Sequence, residues 1–439
     1  MKTFDDLYIK TTSGIIRRIN YIITDFPLFT EIKTTLETKQ SKSVTTIKVK
    51  EGVNIGKSNE ITKYQKAIND VNRKITLHLR NGYKTSEMLG FNTNDNVMFN
   101  ELDLLLSFDK TDAEGTLKPM KAVQFKSKVL DENGTMIGQP KINGFRGTLK
   151  WEHSTINEGL FTQYREQAVI RTKENLYYHL PHITNNLTIE DFIYNGELVQ
   201  YDGELYIPNM ALSEIKTHIP NINYKNNTIT KCRKDTTKVS FWIFDLSIEN
   251  VEQEDRLNIM YEMTENYPAV GINRHKNIAP IVVLQHFDVT SDNYLKMLDR
   301  NIESGYEGII FRQVNAVYGF GSRTKIMMKL KKSKTTECKI LDVIFKEKTH
   351  NFDTGKVRTF ISLVLENDKN YETFESTPEG DEEYRVDLLE NKDKYIGKYA
   401  TVKFYERSGV KKVPFHSNVI VIGRETIGDL DINDINIEE

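Results

Sequence analysis

Residues 139–147, QPKINGFRG, are the stretch from which the fold can be worked out, and they place Lys141 three residues before Gly144 and five before Arg146. Such a turn can expose the lysine amine beside a cation that binds phosphate. A lysine nucleophile must first lose its proton, which requires nearby positive charge or burial. Alone, the stretch also fits an ordinary surface turn, so motifs farther along the chain have to decide.

Two carboxylates follow downstream. Glu204 lies in QYDGELY (residues 200–206), on a predicted strand after a tight turn, where it could bind a ribose hydroxyl or a metal. The near-duplicate NGEL (195–198) makes Glu197 a competitor, and a plain hairpin turn is the alternative for both. Glu307 precedes the apolar strand 308–311, where a carboxylate can hold a divalent cation on a phosphate.

An aromatic residue and a lysine pair complete the set. Phe244 lies in the apolar run FWIFDL (241–246), typical of a buried strand, and its ring could stack on a purine or belong to the core. Lys329 and Lys331 are two residues apart and therefore point to the same side of a strand. They repel each other unless an anion such as a triphosphate lies between them. A solvated edge strand protected by lysines is the alternative.

The order of these motifs resembles that of the covalent nucleotidyltransferases, which comprise ATP-dependent DNA ligases, RNA ligases and mRNA capping enzymes. The pattern is Lys-x-(Asp/Asn)-Gly-x-Arg, then Asp-Gly-Glu, aromatic-Asp, Glu-Gly with two apolar residues, and Lys-x-Lys. It spans residues 139–332 and extends more loosely to Arg424. Within this superfamily the chain resembles the ATP-dependent DNA ligases of phage type.

The resemblance implies a role for each matching residue. Lys141 would attack the α-phosphate of ATP and become lysyl-AMP, and Glu307 would bind the metal, Mg²⁺. The other residues that would bind ATP or AMP are Gln139, Arg146, Glu204 (chosen over Glu197), Phe244, Arg323, Lys329 and Lys331. The residues that would contact DNA or pyrophosphate are Arg424, Arg165 and Arg171.

Three departures from the family pattern are visible. Asn143 stands where the nucleophile motif usually has Asp, and a neutral residue there is commoner among RNA ligases. Ser-Thr at 154–155 replaces a Ser-Arg pair that contacts the nick 5′-phosphate, for which Arg165 or Arg171 would substitute. At the terminal Arg-x-Asp-Lys element only Arg424 is retained.

The resemblance also implies a multidomain α+β architecture. We expect a small mixed N-terminal DNA-binding module (1–108), an adenylation domain (109–332) with an ATP-grasp-like nucleotidyltransferase fold, a β-barrel OB-fold (333–424) and an acidic flexible tail (425–439). Local patterns add elements: Thr62 with Gln65 predicts the start of a helix, and the pattern of 292–304 predicts another.

The charge of the chain is unevenly distributed. Its 439 residues contain 60 Lys plus Arg and 62 Asp plus Glu, a net charge of −2, which on its face argues against a nucleic-acid partner. However, residues 366–394 carry −7 and residues 425–439 carry −6, which leaves the rest at +11. A basic body suits phosphates; solvated spacers are the alternative interpretation of the acidic segments.

Cysteine content and hydropathy exclude other classes. Two cysteines, Cys232 and Cys338, cannot build a disulfide scaffold or a Cys-rich zinc module, which also excludes zinc-bearing NAD-dependent ligases. The apolar stretches are too short to span a bilayer, and residues 1–8 lack a signal-peptide pattern. We therefore expect a cytoplasmic protein, located in the host cytoplasm if phage-encoded, without a membrane partner.

The leading hypothesis is an ATP-dependent DNA ligase that seals nicks between a 3′-hydroxyl and a 5′-phosphate through lysyl-AMP and DNA-adenylate. Its partner would be nicked duplex DNA, its cofactors ATP and Mg²⁺, its state a monomer, and its setting DNA repair, replication or recombination. An ATP-dependent RNA ligase, which Asn143 favours, a capping guanylyltransferase and a catalytically inactive DNA-binding relative are the alternatives.

Overall fold

The structure, a computed structural model, describes residues 1–92, 98–111, 116–158, 161–172, 177–220, 222–223, 228–229, 232, 234–271, 279–351, 357–408 and 411–424. The described parts of Met1–Ala113 and Lys334–Asp434 form one compact unit, and those of Glu114–Ser333 form another. Both mix strands with helices. The predicted module 1–108 and the predicted barrel 333–424 thus fall within one unit, and the three-domain division stays a prediction. Among the described residues, no helix has the length and apolar character that crossing a membrane requires.

The N-terminal part of the first unit is a sheet covered by a long helix. Its elements are β1 Lys2–Thr3, β2 Leu7–Lys10, β3 Ile16–Asp25, β4 Thr30–Glu37, β5 Lys42–Val49, α1 Lys63–Arg80, β6 Lys84–Thr85 and α2 Phe99–Leu105.

The helix predicted after Thr62 is confirmed. The Thr62 hydroxyl accepts a hydrogen bond from the Gln65 N–H at 3.1 Å and so satisfies a donor that the first turn leaves unpaired. Ala67 and Val71 are fully buried in the core that α1 shares with the antiparallel strands β2–β5. The short helix α2 was not predicted; its buried Leu102 packs in a small separate core, a non-local contact that local periodicity does not reveal.

The second unit contains the strands and helices that carry the sequence motifs. Its elements are β7 Lys121–Gln124, α3 Ser127–Asn133, β8 Thr135–Lys141, β9 Phe145–Glu158, β10 Phe161–Thr172, β11 Tyr177–Tyr178, α4 Pro181–Thr184, β12 Ile193–Tyr194, β13 Glu197–Leu198, β14 Tyr201–Tyr206, α5 Leu212–Ile215, β15 Ile222–Asn223, β16 Thr228–Ile229, β17 Ser240–Leu246, α6 Gln253–Met263, β18 Ala269–Val270, β19 Ile281–Leu284, β20 Phe287–Thr290, α7 Tyr294–Glu303, β21 Gly308–Arg312 and β22 Arg323–Lys331.

Two sheets organise this unit. One has seven strands in the order β11-β10-β9-β14-β17-β19-β18, and the other has five in the order β20-β8-β21-β22-β7. Every residue of β17 is buried, which explains its continuous apolar run. The predicted strands at 241–246 and 308–311 and the helix predicted at 292–304 are confirmed.

The C-terminal part of the first unit is mostly β. Its elements are β23 Lys334–Asn351, β24 Val357–Glu366, β25 Thr373–Pro378, α8 Glu382–Glu390, β26 Tyr399–Phe404, β27 Glu406–Ser408, β28 Val413–Phe415 and β29 Asn418–Arg424.

Five of these strands pair in a closed circuit. β23 pairs with β24, β24 with β25, β25 with β29, β29 with β26, and β26 returns to β23. Apolar residues such as Ile340, Leu363 and Val402 are fully buried in a shared core. β23 also pairs with β5, Lys348 opposite Thr46, which joins the N-terminal strands to this circuit in one eleven-stranded sheet.

The spacer interpretation of the acidic segment 366–394 is wrong. This segment contains β25 and α8, and Leu388 of α8 is fully buried in the core. Asp381 caps α8, because its carboxylate accepts a hydrogen bond from the Tyr384 N–H at 2.9 Å. The acidic tail 425–439 lies outside the described residues.

Candidate active site

Three neighbouring strands of the five-stranded sheet bring the lysines together. Backbone pairing places Gly308 of β21 between Lys141, the last residue of β8, and Lys331 of β22. Two residues along, Gln139 and Lys329 flank β21 in the same way. Because side chains alternate between the two faces of a strand, these four polar side chains share one face of the sheet.

Glu307, immediately before β21, holds two of these lysines. Its backbone N–H donates to the carbonyl oxygen of Lys141 at 2.7 Å. Its carboxylate accepts hydrogen bonds from the ammonium groups of Lys141 and Lys331. Burial would raise the pKa of Glu307, but the charges of Lys141 and Lys331 outweigh that effect and lower the pKa. A charged carboxylate therefore lies directly beside the candidate nucleophile.

Lys329 lies in a cationic environment. Burial lowers the pKa of its ammonium group, and the charges of Lys331, Lys141 and Arg323 lower it further. A bound polyphosphate would relieve this repulsion between like charges.

Gly308 is required by the close approach of β21 and β22. A Cβ atom at this position would lie 1.9 Å from the backbone oxygen of Leu330. A side chain could only be accommodated by moving the strands apart. Glycine therefore allows Lys141, Glu307 and Lys331 to meet.

The seven-stranded sheet contributes an arginine and a carboxylate. Arg146 of β9 lies opposite Glu204 of β14. The Gly144 N–H donates to Glu204 Oε2 at 2.9 Å, and Arg146 Nε donates to Asp202 Oδ1 at 2.9 Å. Burial raises the pKa of Glu204, although the charges of Lys141 and Arg146 oppose the shift. The turn after Lys141 is thus fastened to β14 by side-chain contacts.

A cavity of about 210 Å³ collects these groups from both sheets. It is lined by Lys121, Ala122, Gln139, Pro140, Lys141, Ile142, Arg146, Glu204, Phe244, Ile310, Arg312, Arg323, Met327 and Lys329. Among these residues Phe244 supplies the one aromatic ring, and the Arg146 guanidinium lies 5.2 Å from its centroid. An amine, several further cations and an aromatic ring around one cavity suit a purine nucleotide whose phosphates lie near Lys141.

Most residues singled out in the sequence lie at this cavity. Gln139, Lys141, Arg146, Glu204, Phe244, Arg323 and Lys329 line it, while Glu307 and Lys331 contact Lys141 directly or through the shared carboxylate. The competitor Glu197 is exposed on the two-residue strand β13.

The three arginines assigned to DNA or pyrophosphate are not brought together here. Arg171 is 5% exposed and forms an ion pair with Glu152, its Nε 2.6 Å from Oε1, which weighs against a DNA contact. The side chains of Arg165 and Arg424 lie outside the described part of the chain. All three roles stay predictions.

Sequence reasoning assigned no role to Arg312 or to Asp202 and Asp245, the two aspartates that hold the arginines, although both aspartates lie within the quoted motifs. Arg312 lines the cavity, donates to Gln139 Oε1 at 3.0 Å and donates to Asp245 Oδ2 at 2.7 Å. Asp202 accepts hydrogen bonds from Arg146 and from the Tyr318 hydroxyl. For Arg312 and Asp245, the available signal was a charged residue at the end of an apolar segment, 308–312 and 241–245 respectively.

Glu307 and Glu204 are the carboxylates of the site that could bind a metal ion. Among the described residues, no group of three or more His, Cys, Asp or Glu could hold a metal ion by itself. Mg²⁺ in nucleotide sites commonly takes one or two protein carboxylates and completes its coordination with phosphate oxygens and water. Glu307 and Glu204 fit that pattern for Mg²⁺ that arrives with a polyphosphate.

Comparison with known proteins bears on these findings. Residues 119–331 match the family described as ATP dependent DNA ligase domain. No curated protein sequence matches the chain.

Solved structures give similar folds at low identity. The structure called Pmar-Lig_Pre has a TM-score of 0.50 and 14% identity, and the match covers 70% of this chain and 68% of that one. A structure from a study of Lig E DNA ligases has a TM-score of 0.46 and 18% identity, covering 70% and 98%. The Chlorella virus DNA ligase-adenylate has a TM-score of 0.33 and 20% identity, covering 71% and 99%. The likeness to Pmar-Lig_Pre concerns the fold alone.

Proposed function

We propose that this chain, whose residues 119–331 match the ATP-dependent DNA ligase domain family, seals nicks in duplex DNA through a lysyl-AMP intermediate. The observation that carries the proposal is that the Glu307 carboxylate binds both Lys141 and Lys331. Lys141 also lines the cavity that contains the Phe244 ring. The site combines a nucleophilic amine, a proton acceptor and phosphate-binding cations.

In the first step Lys141 Nζ attacks the α-phosphorus of ATP. A nitrogen–phosphorus bond forms, the bond to the β-phosphate oxygen breaks, and pyrophosphate leaves. The Glu307 carboxylate, which already accepts a hydrogen bond from Nζ, accepts the proton that the amine releases. Lys329 and Lys331 neutralise charge on the phosphates. Bound Mg²⁺ would supply further neutralisation, with Glu307 and Glu204 as its protein ligands.

The second and third steps act on DNA. The 5′-phosphate at the nick attacks the phosphorus of lysyl-AMP, which regenerates the Lys141 amine and forms DNA-adenylate. The 3′-hydroxyl then attacks the activated 5′-phosphate, the strand is joined and AMP leaves. Positioning and charge neutralisation account for most of the catalysis in such transfers.

Two features outside the ligase domain support duplex DNA as the substrate. The closed circuit of β23, β24, β25, β29 and β26 supports our proposal that residues 333–424 form an OB-fold barrel, an architecture that binds nucleic acid. The sequence GKSNEIT at residues 56–62 resembles a stretch of the module that leads some phage-type ligases. Its residues 56–60 are exposed, and the Gly56 N–H donates to Glu60 Oε2 at 2.9 Å. We propose that this chain works as a cytoplasmic monomer on nicked DNA.

Labelled ATP tests the proposal directly. The chain should form a labelled protein adduct in the presence of Mg²⁺, and the label should then move to the 5′-phosphate of a nicked duplex. Lys141→Ala should form no adduct, whereas Lys128→Ala, a change on the exposed surface of α3, should retain it. Adduct formation by Lys141→Ala would place the nucleophile elsewhere.

An RNA ligase is the second candidate, because Asn143 is neutral at a position where DNA ligases usually carry Asp. Equal amounts of enzyme should be offered nicked duplex DNA and single-stranded RNA. Efficient joining of RNA without sealing of DNA would favour the RNA ligase. A chain that binds nicked duplex but forms no adduct with any nucleotide would be an inactive relative.

A further inference from the structure

Gln139 is held by two partners that allow one orientation of its amide. Arg312 Nε donates to Gln139 Oε1 at 3.0 Å, and Gln139 Nε2 donates to the backbone carbonyl of Phe244 at 3.0 Å. A guanidinium can only donate and a carbonyl can only accept. Exchanging the amide oxygen and nitrogen would therefore break both bonds and set like groups against each other.

Arg312 is fixed in its turn. It is 1% exposed, and its Nη1 donates to Asp245 Oδ2 at 2.7 Å and to Gln253 Oε1 at 3.2 Å. Asp245 is fully buried and also accepts from Arg256 Nε at 3.1 Å. Turning Arg312 away would leave a buried carboxylate short of a cation, which is strongly unfavourable. The orientation of the Gln139 amide is thus set by a buried ion-pair network.

The Gln139 amide lies where it can contact the edge of a bound base. Phe244 is the aromatic residue that lines the cavity, and a purine would stack on its ring. Gln139 also lines the cavity and bonds to the backbone of Phe244 itself. Its 1% exposure removes competition from water, which makes a mismatched hydrogen bond costly.

We propose that Arg312 is a positioning residue that makes the site select 6-aminopurine over 6-oxopurine nucleotides by fixing the amide orientation of Gln139. After its two protein contacts, the amide retains one acceptor lone pair on Oε1 and one N–H on Nε2. Adenine offers the complementary pair, an N6–H donor beside a ring-nitrogen acceptor. Hypoxanthine offers O6 and N1–H on its Watson–Crick edge, and only an amide turned over would match that pair.

This inference rests on the proposed function only in taking the cavity as the nucleotide site. ATP and ITP are suitable probes, because they carry the same ribose and triphosphate but differ at position 6 of the purine. Affinities measured in the Lys141→Ala background report base selection without covalent transfer. Adduct formation by the chain with intact Lys141 reports the proposed function separately.

The expected preference for ATP over ITP is about 10- to 100-fold, the range of one well-formed pair of base contacts. Arg312→Met should reduce it about 5-fold or more, mainly through better binding of ITP, because only the hydrogen bond to the Phe244 carbonyl then opposes the turned-over amide. Arg256→Met is the matched control: it removes another cation from Asp245 but leaves the bond from Arg312 to Gln139, so the preference should stay within about 2-fold.

Several results would overturn the proposal. They are equal affinity for ATP and ITP, binding of neither nucleotide, an unchanged preference in Arg312→Met, and an equal loss in Arg256→Met. If Arg312→Met fails to fold, Gln139→Met replaces it, since removal of the amide should also abolish the preference. A Gln139→Met chain that still selects ATP would refute the role of the amide.

Discussion

Replacing Gly308 with alanine tests how the sheet assembles the reacting groups. The added Cβ would lie 1.9 Å from the backbone oxygen of Leu330, whereas ordinary contact begins near 3.4 Å. The strands β21 and β22 must therefore separate locally by about 1.5 Å, since packed backbone cannot be compressed. Lys331 lies directly opposite Gly308 on β22, so this movement carries it away from Glu307 and Lys141.

The expected loss in rate is large compared with the loss in stability. A displacement of about 1 Å in reacting groups can cost on the order of 100-fold in rate, and we expect a loss of that size in adduct formation by Gly308→Ala. Overpacking should lower the free energy of unfolding by about 1–3 kcal/mol. The assay is a single-turnover reaction with labelled ATP under conditions in which the variant is fully folded.

Gly196→Ala provides the control. Gly196 has φ +83°, and a Cβ there would meet no atom within 4 Å, so alanine should cause backbone strain of about 1–2 kcal/mol without moving the site. Its rate of adduct formation should match that of the unmodified chain. A folded Gly308→Ala chain that reacts within about 3-fold of the unmodified chain would refute the role of strand separation.

Three further predictions concern other charges. Glu204→Gln should weaken ATP binding about 10-fold or more by titration, because Glu204 lines the cavity, whereas Glu197→Gln on exposed β13 should not. The pKa of Glu307 is lowered from 4.5, so the unfolded chain binds this proton more readily. The stability that this carboxylate contributes is complete above the ordinary pKa and is lost as pH falls through the folded-state pKa. Glu307→Gln should therefore reduce the decrease in the free energy of unfolding at acid pH, as measured by urea unfolding at several pH values. A variant whose free energy of unfolding depends on pH as that of the unmodified chain does would contradict this. Deleting residues 425–439, which carry −6, should tighten non-specific DNA binding at low salt, and unchanged affinity in a filter assay would favour a spacer.

Sequence reasoning succeeded where a local pattern determines the structure. The apolar run in β17 predicts a buried strand, and the Thr62–Gln65 pair predicts the start of α1. The order of the motifs also placed Lys141, Glu307 and Lys331 in one site, and the structure brings them into contact although Lys141 and Glu307 are 166 residues apart. Their chemical roles stay predictions. The pairing of β8, β21 and β22 supplies the geometry that motif order alone does not contain.

Non-local contacts explain what the sequence did not reveal. Arg312 resembles any charged residue at the end of a strand until its bond to Gln139, 173 residues away, is seen. Similarly, α8 was not recognised in its acidic segment, because Leu388 is its one buried residue and only Tyr384 and Leu389 add partly buried contacts with the core. Arg171 attracted attention as a cation, but its charge is matched by Glu152 across the β9–β10 pairing.

The pairing of β5 with β23 has a consequence for synthesis on the ribosome. The free edge of β5 can be paired only after Lys348, which lies opposite Thr46 and about 300 residues later in the chain, has been synthesised. At ordinary rates of translation this interval lasts roughly 15–60 s. During that time the nascent N-terminal meander presents the unpaired backbone groups of β5, a template on which other chains can add strands. Slow translation or truncation before β23 should therefore promote aggregation through this edge.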